Sequence, residues 1–277
     1  MKKGMDTLLR VVKYVVLIAY AVTCIYPMVW LLLSSLKTNE ELFSNTWGLP
    51  ESFRIGNYVS AIIQGHIGRY FINSVIISVL AVFLCVALGS MVSYAIARMK
   101  WKCSKLVLRL FMLGMMIPIY ATIIPLFSIF NKMNLLNTYT SVIVPHVAFG
   151  FPMLIFILTG FLSTIPGELE EAAVMDGCNV FQIFGRIIVP ITRPSLVTVA
   201  VITFLDVWND LLIPQIFLTD TAKMTLPVGL TEFEGLRSTD YVSTIAAVVI
   251  TVIPSMVVYI LLHKNIMEGM VAGAVKG

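Results

Sequence analysis

The sequence predicts an all-α polytopic membrane protein with six transmembrane helices. Composition is the first reason: 58% of the 277 residues are apolar and only 12% charged. A soluble domain carries roughly 25% charged residues, so there is too little charge here to cover a globule in water. Length is the second. Six apolar segments, at about 11–33, 71–97, 106–130, 142–162, 195–218 and 242–262, each supply the roughly 20 residues a helix needs to cross the hydrocarbon core. Backbone chemistry is the third, because a helix satisfies its own N–H and C=O groups in lipid.

The first segment follows Lys2 and Lys3, as a signal peptide would. Its apolar run is long enough to span, and no small-x-small cleavage pattern follows, which predicts an uncleaved first span. The connection 34–70 carries the turn formers Trp47-Gly48-Leu49-Pro50, and part of it suits an amphipathic helix on the outer surface. Pro118 and Pro125 in the third segment, and Pro214 in the fifth, predict kinks. The connection 131–140 is short, and 219–241 carries Asp220, Glu232, Glu234 and Asp240. No repeat, low-complexity tract or linker divides the chain, so residues 1–277 read as a single transmembrane domain.

Lys and Arg set the orientation. With the N-terminus in the cytoplasm, the inner segments hold twelve of them and the outer segments six, with Arg109 just inside the third span. The positive-inside rule then places both termini in the cytoplasm, and the connection 164–194 with them. Cys24, Cys85, Cys103 and Cys178 all fall in spans or inner segments, where no extracytoplasmic disulfide is available, and their spacing fits no metal site.

Several function classes fail on inventory. The net charge of +4 is scattered near the ends of apolar runs, not gathered on one face as nucleic-acid binding requires. No Gly-x-x-x-x-Gly-Lys-Ser/Thr loop or His-Glu-x-x-His helix is present, so the chain carries neither of these signatures of nucleotide phosphate or zinc-protease chemistry. Asp206 and Asp210 on one helix do not suit an aspartyl protease dyad, which draws its carboxylates from different helices.

The stretch 168–194 is the most informative. Pro166 suits a helix start, and Glu168, Glu170 and Glu171 follow where the helix dipole favours anions. Gly177 can end that helix in a left-handed conformation. Asn179 then predicts an N-cap, with Gln182 three residues on, for a second short helix that Pro190 closes. Two short helices broken at a Gly, apolar over much of their surface, suit either a hairpin on lipid head groups or a docking surface for another protein.

The run Glu171-Ala172-Ala173, Asp176-Gly177, Ile187 and Pro190 resembles the EAA motif of permease subunits of ATP-binding-cassette importers, with Val189 where that pattern has Leu. The likeness covers nearly the whole chain: Asn57-Tyr58, Tyr70-Phe71-Ile72-Asn73-Ser74, Leu135-Leu136-Asn137-Thr138, Trp208-Asn209-Asp210, Thr225-Leu226-Pro227-Val228-Gly229-Leu230 and the terminal Gly273-Ala274-Val275-Lys276-Gly277 are similar to the carbohydrate-uptake, maltose-type members. The resemblance implies the type I importer permease (MetI-like) fold. It implies that Glu171, Ala172, Ala173, Asp176, Gly177, Ile187 and Pro190 dock on a cytoplasmic ATPase as coupling helices, and that Gly273, Lys276 and Gly277 reach the ATPase dimer interface. It also implies a second, homologous permease forming a heterodimer, an ATPase dimer that binds ATP and Mg in place of this chain, and an extracytoplasmic solute-binding protein that delivers a sugar or oligosaccharide. The alternative function is an ion-gradient-driven secondary transporter or channel subunit, which would show an inverted repeat or paired broken helices.

Asp206 lies near the middle of the fifth segment, with Asp210 one helical turn further along the same face. Each Asp at a helix centre costs about 2.5–3.5 kcal/mol on an insertion scale. Asp206, Asn209 and Asp210 therefore point to the bundle interior and the translocation pathway, or else satisfy backbone loosened by Pro214. His146 reads as an interhelical hydrogen-bonder.

Overall fold

The structure, a computed structural model, describes residues 2–99, 101–236 and 240–274, with the side chains of 6–7, 9–99, 101–233 and 240–264. Every regular element among them is helical. In chain order these are α1 (Lys2–Ser34), α2 (Asn39–Ser44), α3 (Gly56–Val59), α4 (Ile67–Arg98), α5 (Ser104–Gly114), α6 (Ile123–Lys132), α7 (Tyr139–Leu162), α8 (Glu168–Met175), α9 (Val180–Ile183), α10 (Val189–Asn209), α11 (Leu212–Phe217), α12 (Leu226–Leu236) and α13 (Tyr241–Ala274). Five stretches are long and apolar enough to cross a membrane: Leu9–Ser34, Ile67–Arg98, Tyr139–Leu162, Val180–Asn209 and Tyr241–Lys264. A sixth results if α5 and the bent run Ile119–Lys132 are one broken span. Contacts gather into two units, Met1–Gly68 with Leu230–Val252, and Arg69–Gly229 with Ile253–Gly277.

In the first unit the connection after α1 folds on itself. Thr38 accepts from the N–H of Glu41 at 3.0 Å and so caps α2. Lys37 is fully buried, and its Nζ donates to the carbonyl of Asn45 at 2.6 Å; a desolvated ammonium must find such acceptors. Asn57 donates to the carbonyls of Ser35 and Lys37 at 2.8 and 2.9 Å, closing the loop that α3 and the following π-helical turn Ser60–Gln64 complete. The connection expected to carry an amphipathic helix thus holds two short ones. Over Leu9–Ser34, none of the most apolar 18-residue window is buried within the chain.

The second unit is built on α4, α7 and α10. Its core includes Ile77, Ala81, Cys85, Leu154, Ile155, Leu158, Val199, Ile213 and Phe217. A Cβ on Gly89 would meet Cδ2 of Leu154 at 2.6 Å, so the absence of a side chain there allows α4 and α7 their close approach. Two of the family-like motifs meet, since the N–H of Leu226 donates to Ser74 at 2.7 Å, and Asn73 beside it donates to the carbonyls of Ala222 and Met224 at 3.0 and 2.8 Å and accepts from the hydroxyl of Tyr139 at 2.7 Å.

Three boundary expectations are corrected. The third span is not one kinked helix: α5 stops at Gly114, Pro118 is extended (ψ 124°), and the two halves meet at 90°. Proline's missing N–H and the restriction it places on the residue before it account for the break. Pro190 does not close a separate helix, since helical backbone runs unbroken from Val180 to Asn209. A π-helical turn, Phe184–Ile188, precedes it, and the N–H of Val189 reaches back five residues to Phe184, which widens the helix where the proline ring must fit. Finally, α10 ends at Asn209 and Asp210 is extended (ψ 127°), so the fifth span does not continue as helix to 218, and Asp206 and Asp210 do not share a helical face.

Candidate functional site

Two places concentrate chemistry, both within the second unit. One is the connection 163–188. α8 carries its acidic residues in its first turn, as expected, and Gly177 takes φ +81° where the chain reverses. Asn179 and Gln182 form the anticipated reciprocal box: the side chain of Asn179 accepts from the N–H of Gln182 at 3.0 Å, and that of Gln182 from the N–H of Asn179 at 2.8 Å.

The segment has two faces. Inward, Ala173, Ile183 and Ile188 are buried with Tyr94 of α4 and Leu162 and Ile165 at the end of α7, and Ile187 packs against the same cluster. Outward lie Glu171, Ala172 and Asp176, together with Val174, Met175 and Phe181, the last two 87% and 77% exposed. Of the residues expected at a docking surface, Glu171, Ala172, Asp176, Gly177 and Pro190 are exposed, whereas Ala173 at 5% and half-buried Ile187 are turned into the molecule. Gly273 falls in the last turn of α13; Lys276 and Gly277 lie outside the described residues.

Arg98 and Tyr94, at the end of α4, reach this connection. Nε of Arg98 is 2.5 Å from Oε1 of Glu170, and the hydroxyl of Tyr94 donates to Oε2 at 3.2 Å. The sequence marks Glu170 only as one of three carboxylates at a helix start, and gives no sign of its pairing with Arg98. Spacing marks a run of carboxylates but not which one turns inward.

The other place is a cavity of about 330 Å³ between the broken third span, α7 and the end of α10, whose polar wall is Tyr120, His146, Thr203, Asp206 and Asp210. Asp206 is exposed into it. Asp210 is 6% exposed and engaged on all sides: Oδ1 accepts from the N–H of Leu212 at 3.2 Å and the hydroxyl of Tyr120 at 3.4 Å, and Oδ2 from the N–H of Ile213 at 3.3 Å. His146 stands 3.2 Å from that Oδ2, within ion-pair distance but off the line of a hydrogen bond. Asp210 thus satisfies the opening turn of α11, where the chain is broken, and joins it to α7 and Tyr120. Asn209 does not line the cavity; it donates to the carbonyl of Leu205 at 2.9 Å and accepts from Ser255 at 3.5 Å. Among the described residues no group of three or more His, Cys, Asp or Glu is placed to hold a metal ion.

The model of one family, described as binding-protein-dependent transport system inner membrane component, matches residues 85–267. The chain belongs to that family. Both sites fall inside the matched stretch. A putative ABC transporter permease protein of Caldicellulosiruptor sp. is 37% identical over 252 residues, covering 91% of each chain. The diacetylchitobiose uptake system permease protein of Streptomyces coelicolor is 34% identical, covering 94% of this chain and 87% of its own. The fold is that of a solved bacterial ABC transporter involved in alginate import, with a TM-score of 0.82 over 94% of this chain and 96% of that one at 21% identity. As an importer permease, the chain contributes a multi-pass membrane subunit to a binding-protein-dependent transport system.

Proposed function

We propose that this permease forms half of the pathway of an ATP-driven importer that carries a sugar or oligosaccharide, with a second homologous permease, an ATPase dimer that binds ATP and Mg, and an extracytoplasmic binding protein. The observation that carries the reading is the outward face of 163–188: Glu171 beside Val174, Met175 and Phe181, apolar groups left open around a fixed bend. Both termini and this face lie in the cytoplasm on the positive-inside bias, where an ATPase is available to cover it. The carbohydrate relatives support the class of cargo. α1, whose most apolar window is left uncovered by its own chain, suits contact with lipid and with the second permease.

ATP-driven closure of the ATPase dimer would move the docked face and rock the spans between inward- and outward-open states. Asp206 and Asp210 line the pathway in this reading. Asp206 is the free acceptor for sugar hydroxyls, and Asp210 shapes the cavity, being already satisfied by its own chain. The terminal residues Gly273, Lys276 and Gly277 reach toward the ATPase interface. An ion-gradient transporter built on inverted repeats would show internal repetition, and the sequence carries no repeat.

The test is purification of the tagged chain followed by uptake in vesicles. Co-purification of an ATPase subunit and uptake that follows ATP support the proposal, and Glu171→Ala should abolish uptake while leaving membrane insertion intact. Uptake that follows an ion gradient without an ATPase overturns it.

A further inference from the structure

Three acidic residues open α8, and they point different ways. Glu171 is exposed on the outward face, whereas Glu170 turns inward to Arg98 and Tyr94. The same guanidinium does more than pair with that carboxylate. Nη1 of Arg98 donates to the carbonyls of Leu162 and Ile165 at 3.3 and 3.0 Å, and Nη2 to the carbonyl of Pro166 at 3.4 Å. One planar fork, placed on the last residue of α4, therefore holds the carbonyl of Leu162 at the end of α7, those of Ile165 and Pro166 in the connection that follows, and Glu170 in the first turn of α8.

An exposed ion pair would contribute little. Here both side chains are largely shielded, at 14% and 17% exposure, and the guanidinium makes three further hydrogen bonds to backbone oxygens. The cluster beneath, with Tyr94, Leu162, Ala173 and Ile183, supplies area but no direction, since apolar contacts can slide. Tyr94 adds a second directed link, donating to Glu170 and lying 5.5 Å from the ring of Phe184 in the π-helical turn.

We propose that Arg98 and Glu170 are a positioning pair that makes the 163–188 segment move as one piece with α4 and α7, so that motion imposed on its outward face becomes motion of the spans. The inference rests on the docking reading above and assigns a separate role to each carboxylate: Glu171 meets the partner, and Glu170 passes the displacement inward. Neither member of the pair belongs to the outward face, so breaking it leaves the docking surface in place. Hydrolysis then continues without moving cargo.

The experiment uses the complete transporter in proteoliposomes, with ATP hydrolysis and uptake measured in the same vesicles and co-purification of the ATPase measured beforehand. Glu170→Gln and Arg98→Gln should each lower uptake per ATP at least tenfold while hydrolysis stays within about twofold and the ATPase still co-purifies. Arg98→Lys, which keeps the charge but loses the fork, should fall between these and the parent. The exchange Arg98→Glu with Glu170→Arg should recover uptake per ATP above either single variant. A Glu170→Gln transporter with the parental ratio overturns the inference, as does a parallel loss of hydrolysis, uptake and co-purification in Glu170→Gln and Arg98→Lys alike. Glu171→Ala, measured alongside, separates the two readings: if it alone leaves assembly and transport intact, the docking assignment fails, whatever the pair does.

Discussion

Oδ2 of Asp210 and Nε2 of His146 stand 3.2 Å apart with both side chains almost wholly shielded from solvent. The contact joins α7 to the point where α10 has stopped and α11 has not begun. Asp210 is thus held by its own chain before any cargo arrives, and Asp206, a turn earlier, is left facing the cavity.

Asp210→Ala removes the acceptor from two backbone N–H groups, at about 1–3 kcal/mol for each donor left unsatisfied in a buried setting. Asp210→Asn retains one acceptor oxygen and should lose less. Thermal midpoints of the detergent-solubilised transporter check the order: Ala below Asn below the parent. Unchanged uptake in Asp210→Asn would remove its charge from any part in transport.

Gly229→Ala should be severely damaging. A Cβ there would sit 1.9 Å from Cδ2 of Tyr70, in an aromatic ring that has no flexible end to withdraw. Overpacking of this kind costs about 1–3 kcal/mol or more. Tyr70→Ala in the same chain should restore part of the loss, and failure of the double variant to recover the thermal midpoint would place the fault elsewhere.

Gly177→Ala meets no neighbour within 4 Å, so its cost is conformational: about 1–2 kcal/mol for holding a side chain at φ +81°. Gly177→Asn should be milder, because Asn tolerates that region. ATPase co-purification over a temperature series separates the two variants, and equal behaviour would show that the left-handed bend is not what matters.

Asn179→Ala removes the cap of α9 at about 1 kcal/mol. Gln182→Ala should cost less, since it leaves the donor at Gln182 bonded and frees only the N–H of Asn179. Limited proteolysis between 176 and 183 should accelerate in the order Asn179→Ala, Gln182→Ala, parent.

Cys103, exposed in the connection between α4 and α5, gives a direct measure of orientation. A membrane-impermeant thiol reagent should leave it unlabelled in intact cells and label it in inside-out vesicles. Labelling from outside would reverse the topology expected from Lys and Arg.

Composition and apolar run length, read from the residues alone, were enough for a helical membrane protein, because lipid accepts few other structures. The same was true of the bend at Gly177 and the Asn179 box, which depend on residues three apart or fewer. Which side each residue faces was decided only by tertiary structure. Glu170 and Glu171 are adjacent and chemically alike, yet Arg98, more than seventy residues earlier, takes one and leaves the other. Ala173 belongs to the motif whose resemblance implies an outer contact, and it is instead packed inward. The third span was expected to kink and breaks outright, and the fifth ends at Asn209 instead of carrying Asp210 on its face. A proline marks where a helix is weakened, but not whether the helix runs on through a π-helical turn, as before Pro190, or parts, as at Pro118. Pairings across long stretches of chain leave no local pattern, and both the cavity and the Arg98–Glu170 joint are made of them.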